Sequence, residues 1–69
     1  MAQYSLIGID SNAFYILAYV AKAMKKENCS QQEIEQYRQD AESDDYQHLL
    51  FVSQEMINKL NEKKNAAAY

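Results

Sequence analysis

The sequence predicts an all-α fold: a small three-helix domain preceded by an extended N-terminal arm. Three observations point there. The 69-residue chain has one Gly and no Pro, so it lacks the main interrupters of regular structure. It is rich in Ala, Gln, Glu, Lys and Met, which are good helix formers. Three stretches carry apolar residues at helical spacing, each opened by Ser, Asp or Asn.

Size limits what such a chain can do alone. A domain of this length buries only about 60% of its unfolded surface. Small chains often add disulfides, a metal or partner subunits. One cysteine, Cys29, excludes an internal disulfide. No CxxC and no His/Cys pair points to a structural zinc. Association with another chain is the remaining aid.

Each element follows from its residues. Residues 1–9 form the arm. QYSLIGI, from Gln3 to Ile9, is the sole strand candidate, and no second strand offers it an edge. Pairing with a symmetry mate and an extra helical turn are the alternatives to a plain arm. Helix 1 is expected over 11–28. Asp10, Ser11 and Asn12 are three consecutive N-cap types. Lys22, Lys25 and Lys26 suit the negative end of the helix dipole, and Asn28 suits a left-handed cap.

Helix 2 is expected over 30–42. Ser30 and Glu33 make a capping box, in which each side chain satisfies the other residue's backbone N–H. Ile34, Tyr37 and Ala41 form a thin apolar stripe on a polar helix. Helix 3 is expected over 45–61, opened by Ser43-Asp44-Asp45, with Asp44 and Gln47 as a weaker capping box. Leu49, Val52, Met56 and Leu60 mark one face, widened by Leu50 and Ile57. Residues 62–69, EKKNAAAY, are expected to fray.

Helix 1 is apolar nearly all round. One face carries Phe14, Leu17, Ala18, Ala21 and Met24; a second carries Ala13, Ile16, Val20 and Ala23. Helix 2 with its thin stripe and helix 3 with one broad face cover one such face well and the other in part. Helix 1 is then either sandwiched in a monomer or part of a contact between chains. The expectation adopted is a homo-oligomer with Phe14, Ile16, Leu17, Val20 and Met24 at the interface.

Two polar helix starts are the candidate ligand site. At helix 1, Asp10, Ser11 and Asn12 lie near Tyr15 and Tyr19, one turn apart. Free N–H groups there can hold an anion. Plain N-capping with half-buried tyrosines accounts for the same residues. At helix 3, Asp45, Tyr46 and His48 stand close in sequence. Two acid–His spacings without a third ligand do not make a metal site. A cap, with His48 paired to Asp44 or packed at a boundary, is the favoured account of the same residues.

Charge narrows the partners. Ten acids against seven bases leave a net charge of −3, which disfavours general nucleic-acid binding. Six of the seven bases lie in two clusters, Lys22, Lys25, Lys26 and Lys59, Lys63, Lys64, which an up-down-up bundle places at one end. Helix 2 and the following turn carry Glu33, Glu35, Asp40, Glu42, Asp44 and Asp45. Ser11, Ser53, Cys29 and His48 make no nucleophile motif, so no catalytic residue and no cofactor are expected. The apolar run from Ala13 to Met24 is too short to span a bilayer, and no base precedes the first apolar stretch as in a signal peptide. Cytoplasmic residence is expected.

GIDSNAFYILAYVAKAM and ESDDYQHLLFVSQEMI resemble a group of short proteins found in bacteria, phages and prophages. In that group a G-N-A-F stretch opens the first helix, S-x-x-E-I-x-x-[YF] spans the turn and second helix, and G-D-Y-x-H-L-L opens the last. Asn12-Ala13-Phe14, CSQQEIEQY, and Asp45-Tyr46 with His48-Leu49-Leu50 match, over roughly residues 8 to 58. Ser11 and Asp44 stand where the pattern has glycine. The resemblance implies a phage or prophage setting. Small proteins of that setting bind a host protein or sequester a nucleotide signal used in host defence. The expectations are therefore a non-catalytic binder of a nucleotide-like ligand, a module docking a host protein through acidic helix 2, and, last, a nucleic-acid binder at the lysine end.

Overall fold

The computed structural model describes the backbone of residues 4–67 and the side chains of residues 4–63. The chain folds as three helices: α1, Ala13–Lys26; α2, Gln31–Ala41; α3, Tyr46–Ala67. No strand occurs among the described residues. Each helix packs against the other two.

The helix ends follow local chemistry. Of the three polar residues before α1, Asn12 is the cap: its side chain accepts from the Phe14 N–H, while Asp10 accepts from the Asn12 N–H. At the other end Asn28 takes a positive φ of 67°. The Cys29 N–H then returns to the Met24 carbonyl and the Asn28 N–H to the Lys25 carbonyl, the double closure of a Schellman turn. Ser30 and Glu33 form the capping box of α2 in both directions. At α3 the cap differs from expectation. Asp45, not Asp44, accepts from the His48 N–H at 2.9 Å, and Asp44 accepts from the Asp45 N–H. α3 also continues to Ala67, well past Asn61.

The core sits where the three helices meet. Ile16, Leu17, Val20, Ala23 and Met24 come from α1; Ile34, Tyr37 and Ala41 from α2; Leu49, Ile57 and Leu60 from α3. Burial of each larger aliphatic side chain is worth about 1.5–3 kcal/mol. The buried line of α3 runs Leu49, Ser53, Ile57, Leu60, so Val52 and Met56 lie at its edge and are half-buried. Ser53 is fully covered, and its hydroxyl lies 2.6 Å from the Tyr37 hydroxyl.

Ile16, Leu17, Val20 and Met24, expected at a contact between chains, are instead buried inside the chain. The reason is geometric. They form a single stripe across the two expected faces of α1, and α2, α3 and the N-terminal segment pack on the core it belongs to. Phe14, the fifth residue of that set, is 74% exposed.

The described part of the N-terminal segment is tied down. The Asn61 side-chain amide makes two 2.9 Å bonds to the Tyr4 backbone, accepting from its N–H and donating to its carbonyl. The Tyr4 hydroxyl donates to the Glu27 carboxylate at 2.6 Å, and the Tyr19 hydroxyl accepts from the Ser5 N–H. The rings of Tyr4 and Tyr19 meet edge to face, 6.5 Å apart. Leu6 and Ile9 pack on the core. A turn closes with the Ile9 N–H on the Leu6 carbonyl, and Gly8 holds φ 84° in it. Nothing lies near the place of a Cβ there, so the need for glycine is conformational. Residues 1–3, the beginning of the expected arm and including Gln3, lie outside the described residues.

Candidate functional site

The starts of α1 and α3 come together. The Tyr46 hydroxyl donates to the Ser11 carbonyl, joining the two polar stretches that the sequence singles out. Between them lies a depression of about 270 Å³ lined by Ala13, Phe14 and Leu17, by Ala41 and Glu42, and by Asp44, Asp45, Tyr46 and Leu49. Its floor is apolar: Leu17, Ala41 and Leu49 are core residues. Its edge holds two exposed aromatic rings, Phe14 and Tyr46, the second 42% exposed. Three carboxylates, Glu42, Asp44 and Asp45, complete the lining.

The chain builds this place from simple parts. α2 ends at Ala41, and a short acidic turn carries the chain to the Asp45 cap. His48 closes the corner: its Nε2 lies 3.0 Å from the Asp40 carbonyl, 3.3 Å from the Asp40 carboxylate and 3.4 Å from the Ser43 hydroxyl. His48 therefore pairs across to the end of α2 and not with Asp44. His48 and Asp40 form an ion pair among the described residues when the imidazole is protonated. Glu42, Asp44 and Asp45 have no cationic partner there.

The expected ligand residues divide by role. Asp10, Asn12 and Asp45 cap turns and helices. Tyr19 holds the N-terminal segment, and His48 the α2–α3 corner. Ser11 offers its carbonyl to Tyr46. Tyr15 is exposed. The depression thus uses Asp45 and Tyr46 from the expected set, and adds Phe14, Glu42 and Asp44. The acidic turn was visible in the sequence. Its meeting with Phe14 was not, because about thirty residues of chain separate them.

Two other places bear on function. A groove of about 630 Å³ between α2 and α3 has Tyr37, exposed Phe51, Val52 and Met56 along it, with Glu33, Asp40, Glu55, Lys59 and Lys63 on its sides. Its charges are mixed. Cys29 lies there too; burial first, then Glu33, raises its thiol above the ordinary 9.0, against Lys63, so it is a thiol at neutral pH. At the far end Lys63 donates to the Glu27 carbonyl at 3.3 Å, which brings the ends of α1 and α3 side by side. The Lys64 side chain lies outside those described.

Among the described residues no helix is long and apolar enough to cross a membrane. No three His, Cys, Asp or Glu side chains among them converge as a metal site. Comparison with known protein families, with curated proteins and with solved structures finds no match to this chain.

Proposed function

We propose that this protein is a non-catalytic protein-interaction module that takes up a basic segment of a partner protein at the α2–α3 corner. One observation carries the reading: two exposed aromatic rings stand over an apolar floor beside three carboxylates that pair with no cation among the described residues. Aromatic residues anchor contacts between proteins, and charge of one sign selects a partner of the other. α2 itself carries two further exposed acids, Glu35 and Asp40. The setting that goes with the proposal is the one implied by the resemblance: a phage or prophage protein in the bacterial cytoplasm that acts on a host protein, including one used in defence.

A titration of the isotope-labelled protein with a Lys/Arg-rich peptide, and with an acidic control of equal length, tests it. The basic peptide is expected to shift the amide signals of residues 40–46 and Phe14, with affinity falling as salt rises. The pair of changes Glu42→Lys and Asp44→Lys, both at exposed positions, should weaken binding by about tenfold or more. Absence of binding, or shifts confined to the lysine end, would overturn the proposal.

The second reading, a homo-oligomer that sequesters a nucleotide-like ligand, draws on the joining of the two polar helix starts by Tyr46 and Ser11. The carboxylates count against an anionic ligand there, since like charges at short range repel. Native mass spectrometry of gently purified protein separates the two. An oligomer that releases a nucleotide-sized compound would favour the second reading; a bare 8.0 kDa monomer would favour the first.

A further inference from the structure

We propose that the depression between the α1 and α3 starts receives a single arginine side chain of that partner, an inference that rests on the interaction-module reading. Four features of the place select this occupant. Its volume, about 270 Å³, suits one long side chain rather than a helix. Its floor of Leu17, Ala41 and Leu49 can cover the methylene stem of such a side chain. Its carboxylates, Glu42, Asp44 and Asp45, repel an anion, and they do not converge as a metal site. Its wall is Phe14, which is 74% exposed and does nothing for the core.

Arginine fits these features better than lysine. The guanidinium is planar, so it can stack on the Phe14 ring while its fork of donors reaches carboxylates to the side. The ammonium of lysine is compact and strongly hydrated, so it gives up more on leaving water for an apolar floor. The acceptors are partly preset. One oxygen of Asp44 takes the Asp45 N–H and one oxygen of Asp45 takes the His48 N–H, which fixes both carboxylates in orientation and leaves each a second oxygen. Tyr46 is held by its bond to Ser11, so its ring is a fixed wall.

The test uses short blocked peptides of Gly and Ser that carry one central arginine, lysine or citrulline. Magnetic-resonance titration of the full-length protein reads the Phe14 ring and the Leu17 and Leu49 methyl groups. The arginine peptide is expected to shift these signals and to bind about tenfold more tightly than the lysine peptide. Citrulline, which keeps the shape and loses the charge, should not bind measurably. Phe14→Ala should abolish the preference for arginine over lysine, and Glu42→Gln should weaken the arginine peptide more than the lysine peptide. Both positions are exposed, and an unchanged amide spectrum elsewhere verifies the fold.

Equal binding of arginine and lysine, with shifts only at residues 42–45, would overturn the arginine site and leave the basic-segment reading standing. Arginine binding that is unaffected by Phe14→Ala would also overturn it. Failure of every basic peptide, including the Lys/Arg-rich one, would overturn both.

Discussion

The hydroxyl of Ser53 is 0% exposed, and its bond to Tyr37 decides what that burial costs. A buried hydroxyl without a partner costs about 1–3 kcal/mol, whereas removing both partners is close to neutral. Tyr37→Phe should therefore destabilise the protein by about that amount in urea unfolding, and Tyr37→Phe with Ser53→Ala should recover most of the loss. If the losses of the two single changes simply add in the double variant, the pair is not coupled. Asn28 offers a second residue-scale test. Its φ of 67° costs an ordinary side chain about 1–2 kcal/mol. Asn28→Ala should lower stability by about 1 kcal/mol, and Asn28→Gly should hold or raise it. A loss on changing to glycine as large as that on changing to alanine would show that the Asn28 side chain, and not its backbone, matters.

For the elements, the capping box couples α2 to pH. The Ser30 backbone N–H, and then its hydroxyl, stabilise the ionised Glu33 side chain and lower its pKa from the ordinary 4.5. A carboxyl with a depressed folded value contributes stability above its unfolded value and loses it as pH falls through the folded one. Stability should thus decline as pH drops from about 5 through that range, and Glu33→Gln should flatten this decline. Thermal unfolding at a series of pH values reads it; identical pH slopes for both proteins would remove the coupling. Ser30→Ala should cost about 0.5–2 kcal/mol at neutral pH, where the cap is intact. The box was legible in the sequence because all its parts lie within four residues. The cap of α3 lies one residue beyond the expected Asp44, since Ser43, Asp44 and Asp45 are all N-cap types and local sequence does not choose among them.

Across the whole molecule, the N-terminal segment spans the bundle and closes it. Tyr4 reaches both Asn61 and Glu27. The bond to Glu27, then burial, then the Glu27 charge push the Tyr4 hydroxyl up to about 12. A group raised in this way contributes its stability in full below the ordinary value of 10.0 and loses it only as pH rises through about 12. The attachment therefore persists through the physiological range. Asn61→Ala removes two bonds to the segment. It should raise amide exchange at Tyr4 to Leu6 strongly while lowering global stability by only about 1–3 kcal/mol. Unchanged exchange at Tyr4 would show that the remaining contacts of the segment, the Tyr4–Glu27 and Ser5–Tyr19 bonds with the packing of Leu6 and Ile9, hold it without Asn61.

The sequence alone determined what depends on near neighbours: three helices, the Asn28 turn, the Ser30–Glu33 box and the Ile34, Tyr37, Ala41 stripe. Each rests on spacings within one or two turns, where the backbone itself sets which residues meet. The tertiary structure alone decided which side of α1 is covered, since apolar residues surround that helix and only the positions of α2 and α3 choose among them. Ser53 is half legible. It lies in phase with Leu49, Ile57 and Leu60, but its hydroxyl reads as surface until Tyr37 is found opposite. The candidate site belongs to the same class. Phe14 and the Glu42 to Asp45 turn are distant in sequence, and what joins them is the packing of α1 against α3, which no local spacing records.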